Sequence, residues 1–341
     1  MALFEVRDVD RRFYDEKLRD FLPEKLFDIH AHVYAPHKKA VRDSRTVSWP
    51  KLVAGWNTPD DLLETARLMF PDQSYRALMF GSPTDGADLT DANAYCKAAS
   101  EKTGFPALLL AHPKMTPDAL RDAVVEDGFH GIKVYLTFAP PQIQPADIRI
   151  FDFLTREHLE VMDALHGIVM LHIARPLRLR DPYNVADLLE IERDFPHVRL
   201  IVAHIGRAYC RCDVGDALEV LSETKNMRFD FSANTNAWVM EQALRAVGPE
   251  RLLFGSDLPI TRMRMRRIER DGHYVNLVPH GMYGDVSNDP NMDELDGAEA
   301  EALSFFLYEE LYAFRQAAEA LGLSREDVRR VLYANANEML T

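Results

Sequence analysis

The chain has 341 residues, 47% of them hydrophobic and 28% charged, a globular balance at a length that allows one large barrel or two smaller domains. A net charge of -14 argues against binding a nucleic-acid backbone or an anionic lipid surface, both of which select basic faces. The acidic start Met-Ala-Leu-Phe-Glu-Val-Arg-Asp lacks the apolar core of a secretory leader. The most apolar window, Val161 to Ile173, is broken by Asp163, His166 and His172, so no membrane span is expected.

Charged and apolar residues from Val6 to Leu22 alternate at helical spacing, which predicts a capping helix ended by Pro23. Leu26–His32 (Leu-Phe-Asp-Ile-His-Ala-His) follows and starts apolar, as a buried strand does. Asp28, His30 and His32 fall at i, i+2, i+4, so a regular strand turns all three to one face. Two imidazoles on one face can share an ion; the alternative is a pair of hydrogen-bonded core histidines. Val33 to Pro59, with Pro36, Trp49, Pro50, Gly55 and Trp56, shows no clean period and suggests a functional loop or lid.

A regular rhythm then begins. Short apolar runs at Ala77–Pro83, Ala107–Pro113, Gly131–Thr137, Gly167–Ile173, Arg199–Gly206, Met227–Asn234 and Leu252–Pro259 alternate with segments of helical period. Thr58-Pro59, Thr116-Pro117 and Asp181-Pro182 supply N-cap and N1 residues. A helix from Asp88 to Lys102 stops at Gly104. With Leu26–His32 this makes eight strands at about one βα unit per thirty residues. The pattern predicts a (β/α)8 barrel; the rival, an open doubly wound sheet, lacks a Gly-x-Gly-x-x-Gly after its first strand. Arg262 to Gly297 reads as an irregular insertion that begins with Arg262, Arg264, Arg266 and Arg267, fit to close the mouth, to lie solvated or to meet a second subunit. Ala298 to Leu321 reads as one long amphipathic helix, and Ser324 to Asp327 as a capping box. No Gly/Ser/Pro-rich linker appears, so residues 1–341 are expected to be one domain with its barrel core over 26–340. Cys96, Cys210 and Cys212 form neither a disulfide framework nor a zinc cluster, which suits reduced thiols and a cytoplasmic location.

In a barrel the chemistry sits at the C-terminal ends of the strands. His172 closes the fifth predicted strand, His204 lies near the end of the sixth, and Asp257 closes the eighth. Any one of them alone is a helix cap or a bonded core group. Together with His30 and His32 they point to a shared cation, which offsets the cost of burying an unpartnered charge.

Those five residues, with Val-Ala-His204-Ile-Gly-Arg, Phe-Gly-Ser-Asp257-Leu-Pro and Asn335 to Asn337, resemble the amidohydrolase superfamily, over roughly Leu26 to Leu340. The branch resembled is the amidohydrolase-related one, similar to aminocarboxymuconate semialdehyde decarboxylase, resorcylate decarboxylase and pyrone dicarboxylate lactonase. The resemblance implies one divalent ion, Zn²⁺ first and Mn²⁺ or Fe²⁺ as alternatives, held by His30, His32, His172 and Asp257. It implies that Asp257 moves the proton of an activated water and that His204 polarises the substrate or holds the water. Two-metal members carry a carboxylated lysine on the fourth strand, but Lys133 lies deeper than His32 or His172; the favoured reading is a buried cation near Asp28 or a substrate carboxylate, and an outward solvated lysine is the bland one. Arg207 and Arg175 can clamp a carboxylate; His112 and Tyr135 can line the pocket, with Trp238 and Tyr283 at its walls. The expected activity is hydrolysis of a C–O or C–N bond in a small carboxylated substrate. Non-oxidative decarboxylation on the same residues is the alternative, and a barrel that only binds a ligand is the third reading. A homodimer is the assembly expected from the branch.

Overall fold

The computed structural model describes residues 3–35, 52–82 and 89–340. Eight parallel strands form the barrel: β1 (Lys25–His32), β2 (Ser74–Phe80), β3 (Leu109–Leu110), β4 (Gly131–Val134), β5 (Ile168–Leu171), β6 (Arg199–Val202), β7 (Arg228–Asp230) and β8 (Leu252–Leu253). β3 to β8 pair in sequence order, and β1 pairs with β2. Two seams close the ring. Met79 exchanges backbone hydrogen bonds with Pro106 and Leu108, joining β2 to β3. Ile29, His32 and Asp257 join β8 to β1, through Ile29 N–H to Phe254, His32 N–H to Leu258 and Asp257 N–H to His30. The barrel read from the apolar rhythm is therefore the fold. The predicted runs are longer than the strands because their last residues have already turned into the mouth loops.

The described helices, in chain order, are α1 (Asp8–Phe13), α2 (Pro59–Met69), α3 (Thr90–Thr103), α4 (Pro117–Asp127), α5 (Arg156–Leu165), α6 (Pro182–Asp194), α7 (Ala217–Ser222), α8 (Ala237–Val247), α9 (Gly297–Glu301), α10 (Phe306–Leu321), α11 (Arg325–Arg329) and α12 (Asn335–Leu340). α1 continues as a π-wound turn over Tyr14–Leu18. Its Phe13 and Phe21, just beyond the turn, pack on Tyr308 and Phe314 of α10, so it lies along the barrel flank. Thr58, Thr116 and Asp181 each accept an N–H of the first turn, with proline next in the chain. Gly104 ends α3 at φ 70°. The predicted start of that helix, Asp88, and most of the predicted lid, Pro36 to Lys51, lie outside the described residues. Removing the Thr58 cap by Thr58→Ala is expected to cost about 1 kcal/mol, read as a lowered midpoint in denaturant with an unchanged slope.

Two layers of core follow from strand alternation. Phe27, Ile29, Leu78, Phe80, Leu108, Ile168, Met170, Ile201 and Leu253 fill the barrel interior, and Ala336 and Met339 of α12 pack against them. The outward strand residues meet the helices in a second, larger cluster.

Three expectations are corrected. The stretch after β8 is not irregular: β9 (Arg266–Arg270), β10 (His273–Pro279) and β11 (Met292–Leu295) form a small sheet. Asp271-Gly272 joins β9 to β10 as a two-residue turn with φ of 51° and 76°, the positive pair that such hairpins need. The long helix from Ala298 is broken between α9 and α10. There Ser304 C=O and Phe306 N–H bond Met265 and Met263, while Leu303 C=O and Ser304 Oγ join the buried Arg264–Asp10 pair. Cross-chain bonds have taken the groups a continuous helix would use internally. Finally, Asp28 does not share a face with His32. Asp28 aligns with Ala77 and His32 with Phe80, across a register shift between Asp28 and Ala31. Ala77 and Phe80 are three residues apart and point to opposite sides, so their partners do as well.

Candidate active site

β1 brings His30 and His32 to the mouth, and the turn after β8 brings Asp257. His32 Nε2 lies 3.1 Å and His30 Nε2 3.5 Å from the same Asp257 oxygen. The sequence around Asp257 explains the approach. A Cβ on Gly255 would stand 2.7 Å from the Cβ of His30, so only glycine lets β8 come this close. Ser256 donates its N–H and hydroxyl to Asp28. Asp28 also accepts His30 N–H at 2.9 Å and the Tyr75 hydroxyl at 2.5 Å. It is a buried clasp between β1 and β8, its pKa pushed up to about 6 by burial against those hydrogen bonds.

Each imidazole has its Nδ1 committed. His30 Nδ1 donates to Asp230 at 3.0 Å, His32 Nδ1 meets the Gly81 carbonyl at 3.3 Å, and His172 Nδ1 meets the Ile173 carbonyl at 3.2 Å. His204 Nδ1 meets the Ser232 carbonyl at 2.9 Å. A carbonyl only accepts, so these Nδ1 atoms carry the protons and the Nε2 atoms present lone pairs. His32 Nε2, the ring nitrogen turned away from the Gly81 carbonyl, faces the Asp257 carboxylate at 3.1 Å. Such a contact is favourable only with a proton or a cation between them.

Electrostatics select the cation. Burial, aided by Lys133, lowers the His30 pKa to about 3. Burial, with His204 and Arg207 nearby, holds His172 well below the usual imidazole range. Burial alone would raise Asp257, but positive charge between it and the imidazoles, first of all a proton shared with His32, outweighs burial and holds Asp257 below the carboxylate range; a cation at that place would act in the same direction. Neutral imidazoles and an ionised carboxylate are the forms a divalent metal binds. The group His30, His32 and Asp257 is compact enough to hold an ion, and so by distance is His30, His204 and Asp230. In the second group the atoms are spent on one another: Asp230 accepts His30 Nδ1–H, His204 N–H, Ser232 N–H and the Ser232 hydroxyl. It supports the first group from behind, as carboxylates behind metal-binding histidines do.

The other predicted residues are spread around this centre. The His172 ring stands 5.2 Å from that of His204, which stands 4.8 Å from that of His30. Lys133 aligns with Met170, two residues before His172, so it lies one layer deeper. Its ammonium is fully buried, has no hydrogen-bond partner among the described residues, and sits over the Phe80 and Tyr135 rings at 4.9 and 5.0 Å. Burial lowers its pKa to about 8 against the pull of Asp230 and Asp257. Tyr135 places its hydroxyl 3.4 Å from His32 Nδ1. Arg175 is committed to Asp181 at 2.8 Å and stacks on Tyr183, whereas among the described residues Arg207 has only the Arg175 carbonyl, at 3.5 Å. His112 packs on Phe138. Tyr283 accepts the Arg264 backbone N–H on its hydroxyl oxygen at a buried position, and Trp238 lies under Arg211.

Sequence reasoning missed Asp230 and Ser232. The signal was present in Phe-Asp230-Phe-Ser232, polar residues at the end of an apolar strand, which is the same mark that singled out His172 and Asp257. It also missed Asn57, whose amide holds the His32 carbonyl at 2.6 Å.

The amidohydrolase family model matches residues 27–341. The chain belongs to the amidohydrolase family. None of the curated proteins compared matches this amidohydrolase, so its likenesses come from solved structures. A probable 2-pyrone-4,6-dicarboxylic acid hydrolase from Acinetobacter baumannii, with citric acid bound, is 13% identical with a TM-score of 0.55, over 92% of this chain and 98% of that one. A dihydroxybenzoic acid decarboxylase from Polaromonas sp. JS666, with manganese and 2-nitroresorcinol bound, is 14% identical with a TM-score of 0.51, over 93% and 97%. A 4-oxalomesaconate hydratase from Rhodopseudomonas palustris is 18% identical with a TM-score of 0.52, over 92% and 95%. At these identities the likeness is one of fold. Among the described residues, no helix is long and apolar enough to cross a membrane.

Proposed function

We propose that this amidohydrolase is a metal-dependent hydrolase that splits a C–O or C–N bond in a small carboxylated substrate. The observation that carries the reading is the face-to-face contact of His32 Nε2 and Asp257, backed by the Asp230 support behind His30. The residues that would hold the ion are His30, His32, His172 and Asp257, with zinc the first candidate and manganese or iron(II) also suited to imidazole and carboxylate donors. Bound there, the ion would supply Lewis acidity and lower the pKa of a water.

The chain's own groups supply the rest. Asp257 is ionised and placed to take a proton from water and return it to the leaving group. His204, with its lone pair on Nε2, would accept a hydrogen bond from the attacking water and hold it in place. Among the described residues, Arg207 and Lys133 are cations without a carboxylate partner, in a chain of net charge -14, unlike Arg175, Arg178 and Arg264, which are each paired. That local excess suits an anionic substrate. Lys133 between two aromatic faces is better accommodated as an ammonium than as a carbamate, which favours a single ion.

Decarboxylation is the second reading, favoured by the buried Lys133 ammonium, which could grip a carboxylate close to the metal ligands. A panel of lactones, amides, esters and aromatic carboxylic acids in H₂¹⁸O separates the two. Label in the product without CO₂ is expected; CO₂ release without label would replace hydrolysis by decarboxylation. His172→Ala should lower the metal content of purified protein, and unchanged content would remove His172 from the ligand set.

A further inference from the structure

The loop after β7 is held at a single residue from two directions. Ala233 has φ 50°, a left-handed backbone that is strained for a non-glycine residue. Its N–H donates to Glu310 Oε2 of α10 at 2.6 Å. Its carbonyl accepts Arg267 Nη1 of β9, also at 2.6 Å.

The peptide that matters is Ser232–Ala233. In a trans peptide the C=O and N–H point opposite ways. Here the C=O faces His204 Nδ1 at 2.9 Å and the N–H faces Glu310. Turning that peptide over would break both bonds and set an N–H against His204 Nδ1. Only the Ser232 hydroxyl oxygen, also 2.9 Å from Nδ1, would remain to accept an Nδ1 proton, and the ring would be freed to carry its proton on Nε2, the nitrogen proposed to face the reacting water.

Glu310 is fully buried, and its other oxygen has no partner among the described residues. Nothing about packing calls for a carboxyl there, since a leucine or methionine would fill the site without a desolvation cost. Burial raises the Glu310 pKa well above the carboxylate range, with Asp28, Asp257 and Asp230 adding to the effect. The site holds an uncomfortable polar group whose one hydrogen bond ends on the peptide that sets His204.

We infer that Glu310 is a positioning residue: through the Ser232–Ala233 peptide it fixes the His204 ring with its proton on Nδ1 and its lone pair on Nε2. Arg267 does the complementary job on the next peptide, tying the β9–β11 sheet to the same loop. The inference rests on the proposed catalytic part of His204, but its test does not.

The test is ¹⁵N NMR of full-length, zinc-loaded protein labelled at histidine, with His204→Gln identifying the His204 signals. The unmutated protein should show the Nδ1-protonated neutral ring. Glu310→Met should add a substantial Nε2-protonated population, and Glu310→Gln, which keeps an oxygen acceptor, should restore the original pattern. An unchanged His204 pattern in Glu310→Met, or equal loss with Gln and Met, would overturn the inference. Hydrogen exchange at the Ala233 amide of the unmutated protein is independent of any variant's folding: strong protection is expected, and exchange as fast as an exposed loop would refute the bond to Glu310. A substrate panel with no turnover would sink the catalytic reading and leave the NMR result standing.

Discussion

Asp257→Asn is expected to lower turnover by about 10²–10⁴-fold while the protein still retains most of its metal. The asparagine oxygen can still face His30 and His32, so the donor set loses charge but not shape. What it cannot do is take a proton: an amide has no basic lone pair at neutral pH. The carboxylate is suited to that task because its surroundings keep it ionised, with His32 Nε2 at 3.1 Å and His30 Nε2 at 3.5 Å on the same oxygen. Its backbone, at φ 56°, aims it across the barrel seam, and its N–H is anchored to the His30 carbonyl at 2.8 Å. The measurement is kcat on the best substrate of the panel, with metal content by elemental analysis on the same preparation. Loss of metal in proportion to activity would make Asp257 a ligand only. Full activity in the variant would remove it from the chemistry.

The barrel was legible because its signals are local. Apolar runs mark strands, and Thr58-Pro59, Thr116-Pro117 and Asp181-Pro182 mark helix starts whatever the rest of the chain does. The site was half legible for the same reason: an imidazole or carboxylate at the end of an apolar run stands out one strand at a time. What failed was register. The alternation rule assigned Asp28 to the face of His30 and His32, and one bulge between Asp28 and Ala31 sent it to the outer layer to clasp Ser256 and Tyr75. The predicted proximity of Lys133 to Asp28 fails with it, since the acids acting on Lys133 are Asp230 and Asp257. The small sheet after β8 was missed although Asp271-Gly272 is a strong hairpin signal, because its strands carry arginines and read as surface. The break before α10 has no local mark at all. It follows from Arg264 meeting Asp10 across 254 positions, a pairing that no window of sequence contains.

Asp230 shows what a search for ligands alone leaves out, and it carries the second large effect. Its carboxylate is fully buried and accepts hydrogen bonds from two histidines that sit side by side, His30 through Nδ1 and His204 through its backbone N–H. Burial would raise its pKa, but the hydrogen bonds from His30 and Ser232, together with positive charge in the imidazole cluster, hold it below the carboxylate range. The residue is thus a fixed negative charge beneath the imidazoles, making the free His30 nitrogen a better donor and locking the ring's rotation. Asp230→Asn is expected to weaken metal binding about 10–100-fold, measured by competition with a chelator of known affinity. The amide can still bond one histidine but offers a second pair of N–H donors where two imidazole or backbone donors already point. Thr261→Val, which loses a buried hydrogen bond to the Ser256 carbonyl on the other side of the seam, is the control: it should alter stability and leave metal affinity within twofold. If both variants bound metal as tightly as the unmutated protein, the carboxylate behind His30 would be a matter of folding alone, and the case for an ion at Asp257 would rest on the His32–Asp257 contact without the backing of Asp230.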